Sequence, residues 1–380
     1  MGIDPAALLA GPRGRRVCLS VATPWPAEAL TEPDPLLTGI FLAAIEREDS
    51  STVVLFSTAD PTDIGSDGPP ELPPAPAPGE IARMFAARPV ATPDAGDLQG
   101  ALEETVAAAR YWQEPDGHDR LAAEPKLASV LRAGADAVAR AEGAQWWANP
   151  LQPDDQWSVE FFDDRPADAG PMGEDLPARD APAAETLAHW RREFDVEEER
   201  NRRDYLRGAS PERRGGSWWS VPHSLTKTTR GLPDDGAVGL HLVEDGLGWR
   251  YARLTRTTVR AGARVYEIDG PGSWAELCER FPLDASASRR GDWLRTTGRE
   301  GRWLIPDWPR VAETYDGVHL TVLGYLSTAG RAIPVVDDWA TVLAGWDPDA
   351  TYWLTDGAVQ RTGERSDWWA DDSGEWRRRE

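Results

Sequence analysis

Two proline-rich stretches limit where this chain can form helices and strands. The first, 60–79, has seven prolines between Asp60 and Pro78, and proline interrupts both helices and central strands. The second, 165–182, is rich in Pro, Gly, Asp and Ala. We therefore expect a long exposed loop at the first stretch and a linker between two folded parts of the chain at the second.

The length of 380 residues suits about two domains. We predict a soluble, globular α+β fold, because both helical and strand patterns occur on either side of the linker. The predicted N-terminal α/β domain covers 1–164 and is mostly helical with a few strands. The linker 165–182 and a bridging helix over 183–208 follow it. The predicted C-terminal α+β domain covers 209–358, is rich in Trp and Arg, and has a mixed sheet with flanking helices; a polar tail covers 359–380.

Apolar periodicity predicts the individual elements. Helices are expected at 36–48, 97–112, 127–141, 183–207, 274–280 and 307–313. Strands are expected at 16–22, 51–57, 154–162, 238–243, 249–254, 264–268 and 318–323. Asp97 is placed to cap the second of these helices. The polar tail carries three tryptophans, through which we expect an otherwise loose segment to dock.

The two cysteines favour an intracellular chain with buried thiols. Cys18 and Cys278 lie far apart in the sequence and form no CxxC motif, so free buried thiols are the preferred interpretation, with a single disulfide as the alternative. The N-terminus lacks the pattern of a signal peptide, and the aliphatic runs are too short to cross a bilayer. We expect a cytoplasmic protein with no membrane partner.

The net charge of −23 disfavours nucleic acid as a partner, because phosphate binding needs a basic surface. The charge is unevenly distributed. Residues 201–310 contain 19 basic and 14 acidic residues, whereas the rest of the chain is strongly acidic. The second half therefore contains a cationic region within an anionic protein, which predicts an anionic small molecule or an acidic protein surface as its partner.

The densest part of this cationic region is a candidate ligand site. Its members are the arginines and tryptophans at Arg289, Arg290, Trp293, Arg295, Arg299, Arg302 and Trp303. Guanidinium groups bind phosphate or carboxylate, and an indole ring offers a flat face to a base or another ring. Trp218 and Trp219 form a candidate second wall. The alternative is that these arginines pair with acidic residues and hold the two halves together.

Candidate catalytic residues are few. His241 and His319 lie in segments with strand patterns, and Glu267 lies in another such segment, so we name these three as weak candidates. The sequence EPDGHD, from Glu114 to Asp119, could supply oxygen ligands to a cation, but its PDG is a turn signal and we predict no metal site. No nucleotide-binding loop, nucleophile elbow or zinc-protease motif occurs in the sequence.

These observations leave two functional hypotheses. The first is a non-catalytic binding protein whose C-terminal domain holds a nucleotide-like anion or an acidic partner. The second is an enzyme that acts on a nucleotide, such as one that transfers ADP-ribose from NAD. In that case Arg213 or the arginines of 289–302 would bind the pyrophosphate, Trp218 or Trp219 would contact nicotinamide, and Glu267 would stabilise the oxocarbenium ion.

Overall fold

The computed structural model describes residues 2–23, 34–48, 72–163, 181–207, 216–222 and 224–379. The predicted strand 51–57, most of the predicted loop 60–79, nearly all of the linker 165–182, and Arg213 lie outside the described residues. Within them the protein is a mixture of helices and several small sheets, which confirms the mixed α and β class.

The N-terminal half is helical up to its first strand. Its helices are α1 (Pro5–Ala10), α2 (Pro12–Ala22), α3 (Pro35–Arg47), α4 (Pro78–Ala86), α5 (Ala95–Ala107), α6 (Gly117–Ala122) and α7 (Ala128–Arg140). Aspartates begin four of them, because the side chains of Asp4, Asp34, Asp94 and Asp116 accept hydrogen bonds from free N–H groups in the first turns of α1, α3, α5 and α6. Asp97, the predicted cap of α5, instead accepts a hydrogen bond from the backbone N–H of Asp94.

The predicted strand at 16–22 is wrong, because this segment belongs to α2. Pro12 occupies the first turn of that helix, where its missing N–H costs nothing. The helix packs against α1, α5, α6, α7 and a later helix, so it is buried almost all round, including the side chains of Arg13 and Arg16. An apolar run that is buried on every side lacks the period that distinguishes helix from strand.

The second half contains the longer strands and the remaining helices. The strands are β1 (Gln156–Phe162), β2 (Lys227–Thr228), β3 (Gly231–Leu232), β4 (Gly236–Ala237), β5 (Tyr251–Val259), β6 (Val265–Ile268), β7 (Pro282–Asp284), β8 (Arg302–Pro306), β9 (Gly317–Leu320), β10 (Ile333–Pro334), β11 (Trp339–Thr341), β12 (Thr351–Trp353), β13 (Val359–Ala370) and β14 (Trp376–Arg378). The helices are α8 (Ala183–Leu206), α9 (Val238–His241), α10 (Pro271–Arg280), α11 (Ser286–Thr297), α12 (Trp308–Ala312) and α13 (Val322–Thr328).

Two segments predicted as strands are partly helical. Residues 238–241 of the predicted strand 238–243 form α9, a single helical turn. The predicted strand 318–323 ends at Leu320, because the Thr321 hydroxyl accepts a hydrogen bond from the N–H of Gly324 and begins α13.

The strands form three four-stranded sheets and one hairpin, with the orders β1-β5-β13-β14, β10-β11-β8-β7, β2-β12-β9-β6 and β3-β4. The first sheet is antiparallel throughout. It corrects the expectation of a loose tail, because β13 pairs with β5 and β14 as an interior strand. Ion pairs across this sheet, such as Arg253 with Asp367 at 2.7 Å, explain why so polar a segment forms a strand.

The main apolar core contains residues of both predicted domains. One cluster includes Leu8 and Leu131 from the N-terminal half as well as Leu326 and Trp346 from the C-terminal half. Helices α1 and α2 pack on α13, and the hydroxyl groups of Tyr111 and Tyr325 lie 3.3 Å apart across that contact. The described residues of the two halves therefore share an apolar core, and the two-domain division stays a prediction.

Both cysteines are free and buried, as predicted. Burial raises the pKa of the thiols of Cys18 and Cys278 to about 12, so both remain protonated at neutral pH. Of the helices that the structure describes, none combines the length and the apolar composition needed to span a membrane.

Candidate functional site

Two of the three weak catalytic candidates lie side by side. Parallel pairing of β6 with β9 places Glu267 opposite His319, and the Nδ1–H of His319 donates to Oε2 of Glu267 at 2.6 Å. The other ring nitrogen lies 3.5 Å from a carboxylate oxygen of Asp349. Asp349 in turn accepts from the guanidinium of Arg230 at 2.5 Å. The result is a chain of alternating negative and positive groups.

This arrangement makes His319 a fixed cation. Burial opposes its charged form, but the carboxylates of Asp349 and Glu267 outweigh burial and raise the pKa of His319 to about 9. A protonated imidazole has no lone pair with which to take a proton from a substrate. His319 is fully buried, so we assign this chain of charges to holding β6, β9 and the loop at Asp349 together.

His241 lies elsewhere, with different partners. Its Nδ1 is 3.1 Å from Oε1 of Glu103 on α5, and its Nε2 is 2.8 Å from the carbonyl oxygen of Asp235. Burial opposes the charged form of His241, but these contacts prevail and raise its pKa. The ring connects the loop before β4 and the turn α9 to the helical half.

A second buried group of charges was missed by the sequence reasoning. Glu244 accepts a hydrogen bond from the N–H of Gly345 at 2.8 Å, and its own N–H donates to Asp347, which also pairs with Lys227. The hydroxyl groups of Tyr325 and Tyr111 also interact with the carboxyl group of Glu244. Burial, aided by the charge of Asp347, raises the pKa of Glu244 to about 8 against opposing hydrogen bonds. Glu244 is therefore largely protonated at pH 7.

The arginines and tryptophans of 289–303 do not form a single wall. On α11, Arg289 is buried, pairs with Glu197 of α8 at 3.2 Å, and donates to the carbonyl of Trp219. Trp293 is fully buried and donates its indole N–H to the carbonyl of Trp218 at 2.8 Å. Arg295 pairs with Asp292, whose pKa is raised by burial to about 6 despite that pairing.

The remaining members of the segment point in other directions. Arg290 lies over the ring of Tyr205, with its guanidinium carbon 4.0 Å from the ring centre. Arg299 lies over Trp303, which is fully buried, and Arg302 pairs with Asp338 at 3.4 Å. Most of these groups therefore have acidic or aromatic neighbours. The hydrogen-bond partners of Glu267 are instead His319 and the N–H of Leu151.

Some of the predicted residues do border open space. Arg289 and Trp219 line a surface groove of about 550 Å³ along α8. Trp218 is packed on the helical half instead, with its ring centre 4.8 Å from that of Trp112. Because Glu197 already pairs with Arg289, the groove offers a ligand less positive charge than the sequence suggests.

A larger cavity lies in the helical half, where the sequence reasoning named no site. It measures about 620 Å³ and opens between α2, α3 and α5, a size typical of small-molecule sites. Its walls are mostly apolar. The apolar lining residues include Leu19, Val21, Leu37, Ile40, Phe41, Ala91, Pro93 and Ala101.

Two glycines of α5 keep part of this cavity open. Gly96 and Gly100 are one helical turn apart and both line it. A Cβ atom added at Gly100 would have no atom within 4 Å. Glycine inside a helix is less stable than alanine by roughly 0.5–1 kcal/mol, so packing does not explain this residue. The two glycines in one helix are the sequence signal that could have revealed the cavity.

One end of the cavity is polar. Ser20 donates to Glu104 at 2.9 Å, and Arg16 donates to Glu104 at 3.3 Å and to Asp116 at 2.8 Å. His118 also lines this end, and its ring makes no hydrogen bond to any described residue. Burial and the charge of Arg16 lower the pKa of His118, so the ring is neutral at pH 7 and can both donate and accept.

The segment from Glu114 to Asp119 is a structural turn. Asp116 caps α6 by accepting from the N–H of Asp119 at 2.7 Å, and Asp119 pairs with the buried Arg13. Within the described ranges, no group of three or more histidines, cysteines and acidic residues is placed to hold a metal ion.

Comparison with models of known protein families, with curated proteins and with solved structures gave no match. The geometry of the cavities and the charges around them is therefore the basis for a functional proposal.

Proposed function

We propose that this protein is a binding protein for a small, largely apolar molecule, held in the cavity between α2, α3 and α5. The observation that carries the proposal is the cavity of about 620 Å³ with its mostly apolar walls, because a large apolar cavity with a few polar groups at one end is the usual form of a ligand site. Gly100 lines this cavity, and a Cβ atom added there would contact nothing within 4 Å.

The polar end limits the ligand's head group. The lining includes the acids Asp97 and Glu104, and Arg16, the cation among the described lining residues, already pairs with Glu104 and with Asp116. The neutral ring of His118 is free to hydrogen bond. A carboxylate or phosphate head would face these acids without a partner. The ligand that fits is an apolar molecule whose head is an alcohol, a carbonyl or an amine.

This proposal keeps the binding class that the sequence predicts and moves the site to the helical half. An anionic ligand at Arg289 and Trp219 remains a prediction, and the pairing of Arg289 with Glu197 weakens its physical basis. ADP-ribosyl transfer also remains a prediction. Glu267 hydrogen bonds to His319 and to the N–H of Leu151, whereas Trp219 and Arg289 line the groove along α8.

Fluorescence of the neutral apolar probe N-phenyl-1-naphthylamine tests the site. The wild-type protein should enhance the probe's emission saturably, because the probe is transferred from water to an apolar cavity. Gly100→Leu should fill the cavity and weaken binding by about tenfold or more. The matched control is Gly79→Leu. Gly79 is also a helical glycine with nothing within 4 Å of an added Cβ, but it does not line the cavity.

Competition then tests the head group. Octan-1-ol and octylamine should displace the probe at lower concentrations than octanoate, since all three share one apolar chain and differ in charge. Absence of saturable probe binding by the wild-type protein would contradict the proposal. Equal binding by Gly100→Leu and Gly79→Leu would show that any bound probe lies outside this cavity.

A further inference from the structure

A concave patch of arginines lies at the edge of the sheet β1-β5-β13-β14. Arg253, Arg365, Arg378 and Arg379 line a recess of about 510 Å³, together with Ser366 and Asp367. The recess has four positive charges and one negative charge. It lies apart from the helical cavity, with which it shares no lining residue.

Three of these arginines form no ion pair within 4 Å among the described residues, although the charges of Arg365 and Arg379 also act on Asp367. Arg253 donates two hydrogen bonds to Asp367, at 2.7 and 3.0 Å. No ion pair within 4 Å and no side-chain hydrogen bond is found for Arg365, Arg378 or Arg379 in the described part of the chain. Other exposed arginines of this sheet do have partners: Arg256 pairs with Glu364 and Arg377 with Glu375.

The shape of the recess follows from the ends of two strands. β13 covers Val359–Ala370, but β14 pairs only with its last three residues, 368–370. Beyond the end of β14, that edge of β13 has no neighbouring strand among the described residues. The backbone N–H of Arg379 donates to the carbonyl of Asp367 at 2.9 Å, which brings Arg379 beside the charges of β5 and β13.

This edge is poorly suited to a further strand. The register of β13 against β5 shifts between Arg361 and Arg365, and Gly363 within the shift has φ +90°. Bulges and charged side chains on an edge disfavour the addition of another strand. The chemistry that remains available is that of unpaired guanidinium groups, which bind oxyanions by two parallel hydrogen bonds.

We infer that this recess binds a small oxyanion with two or more negative charges, of the phosphate or carboxylate class. A singly charged ion would leave most of the three unpaired charges uncompensated. A long acidic peptide would have to pair with the edge of β13, which the bulge disrupts. In an otherwise anionic protein, such a patch is also a place where an anion is not repelled.

Calorimetric titration with inorganic pyrophosphate at low ionic strength tests the inference. The double variant Arg365→Ala/Arg379→Ala should bind about tenfold or more weakly, because both unpaired charges are lost. Arg377→Ala is the matched control. It removes an exposed arginine of the same sheet that is already paired with Asp371 and Glu375, so its affinity should stay within about twofold of the wild type.

Salt and an acidic peptide give independent readouts. Binding should be abolished in 1 M NaCl, where the Debye length falls to about 3 Å. Failure of the wild-type protein to bind pyrophosphate at low salt would overturn the inference, as would equal weakening by Arg377→Ala. Binding of hexa-aspartate without binding of pyrophosphate would overturn the small-anion assignment. Gly100→Leu should leave pyrophosphate affinity unchanged, which separates this site from the proposed function.

Discussion

Replacement of Glu244 with glutamine should change how the protein's stability depends on pH. Burial, with the charge of Asp347, raises the pKa of Glu244 from its ordinary value of 4.5 to about 8. An acid whose pKa is higher in the folded state stabilises that state fully below pH 4.5, and this contribution is lost as the pH rises through 8. His319 acts in the same direction, because its pKa is raised from 6.5 to about 9.

The magnitude follows from proton linkage. Each group that holds one extra proton in the folded state lowers the free energy of unfolding by about 1.4 kcal/mol per pH unit as the pH rises. Glu244 and His319 both contribute between pH 6.5 and 8. These two groups together should therefore lower the free energy of unfolding by about 3 kcal/mol per pH unit in this window, and Glu244→Gln should remove about half of that contribution. Above pH 8 the variant should be the more stable protein, because it buries no carboxylate.

Urea unfolding at pH 5 to 9, followed by tryptophan fluorescence at constant ionic strength, measures this difference. Glu46→Gln is the control, since it removes a carboxylate that is 66 % exposed, and its stability should follow the wild-type pH profile. If Glu244→Gln kept the wild-type slope between pH 6.5 and 8, Glu244 would be ionised in the folded state, and the argument from its burial would be refuted.

Three further predictions concern stability, each measured by urea unfolding. His319→Gln leaves two carboxylates without their shared cation and should cost about 3–5 kcal/mol, whereas His241→Gln, at a pair with the partly exposed Glu103, should cost less than about 1 kcal/mol. Gly100→Ala should stabilise the protein by roughly 0.5–1 kcal/mol, whereas Gly117→Ala should destabilise it by about 2 kcal/mol or more, because its Cβ would lie 1.9 Å from a backbone oxygen. Truncation before residue 359 should lower the urea midpoint strongly, since it removes an interior strand; an unchanged midpoint would contradict the paired position of β13.

Helices with a one-sided apolar stripe were predictable from the sequence. α5, α7 and α8 occur close to their expected positions, because each buries one face and exposes the other. The prediction failed at α2, which is buried on nearly all sides. It also failed at β13, where the interior position of the strand depends on β5, a segment more than 100 residues earlier in the chain.

The candidate site was less predictable, because its geometry depends on contacts distant in sequence. The contact between Glu267 and His319 results from the register of two parallel strands, which no local pattern reveals. Arg289 could be identified as charged, but its partner Glu197 lies 92 positions away on α8. Pairing between distant charges decides whether an arginine is available to a ligand, and composition cannot show it.

Of the tryptophans that the structure describes, eight are buried. Trp274, Trp308 and Trp346 are fully buried, and the indole N–H of each donates to an oxygen of the protein, at 3.0–3.1 Å. These bonds satisfy the polar atom that makes indole costly to bury. No tryptophan lines the helical cavity among the described residues. A ligand that binds in the groove along α8 contacts Trp219, so its binding should change tryptophan emission at native stability, and Trp219→Phe should abolish that change.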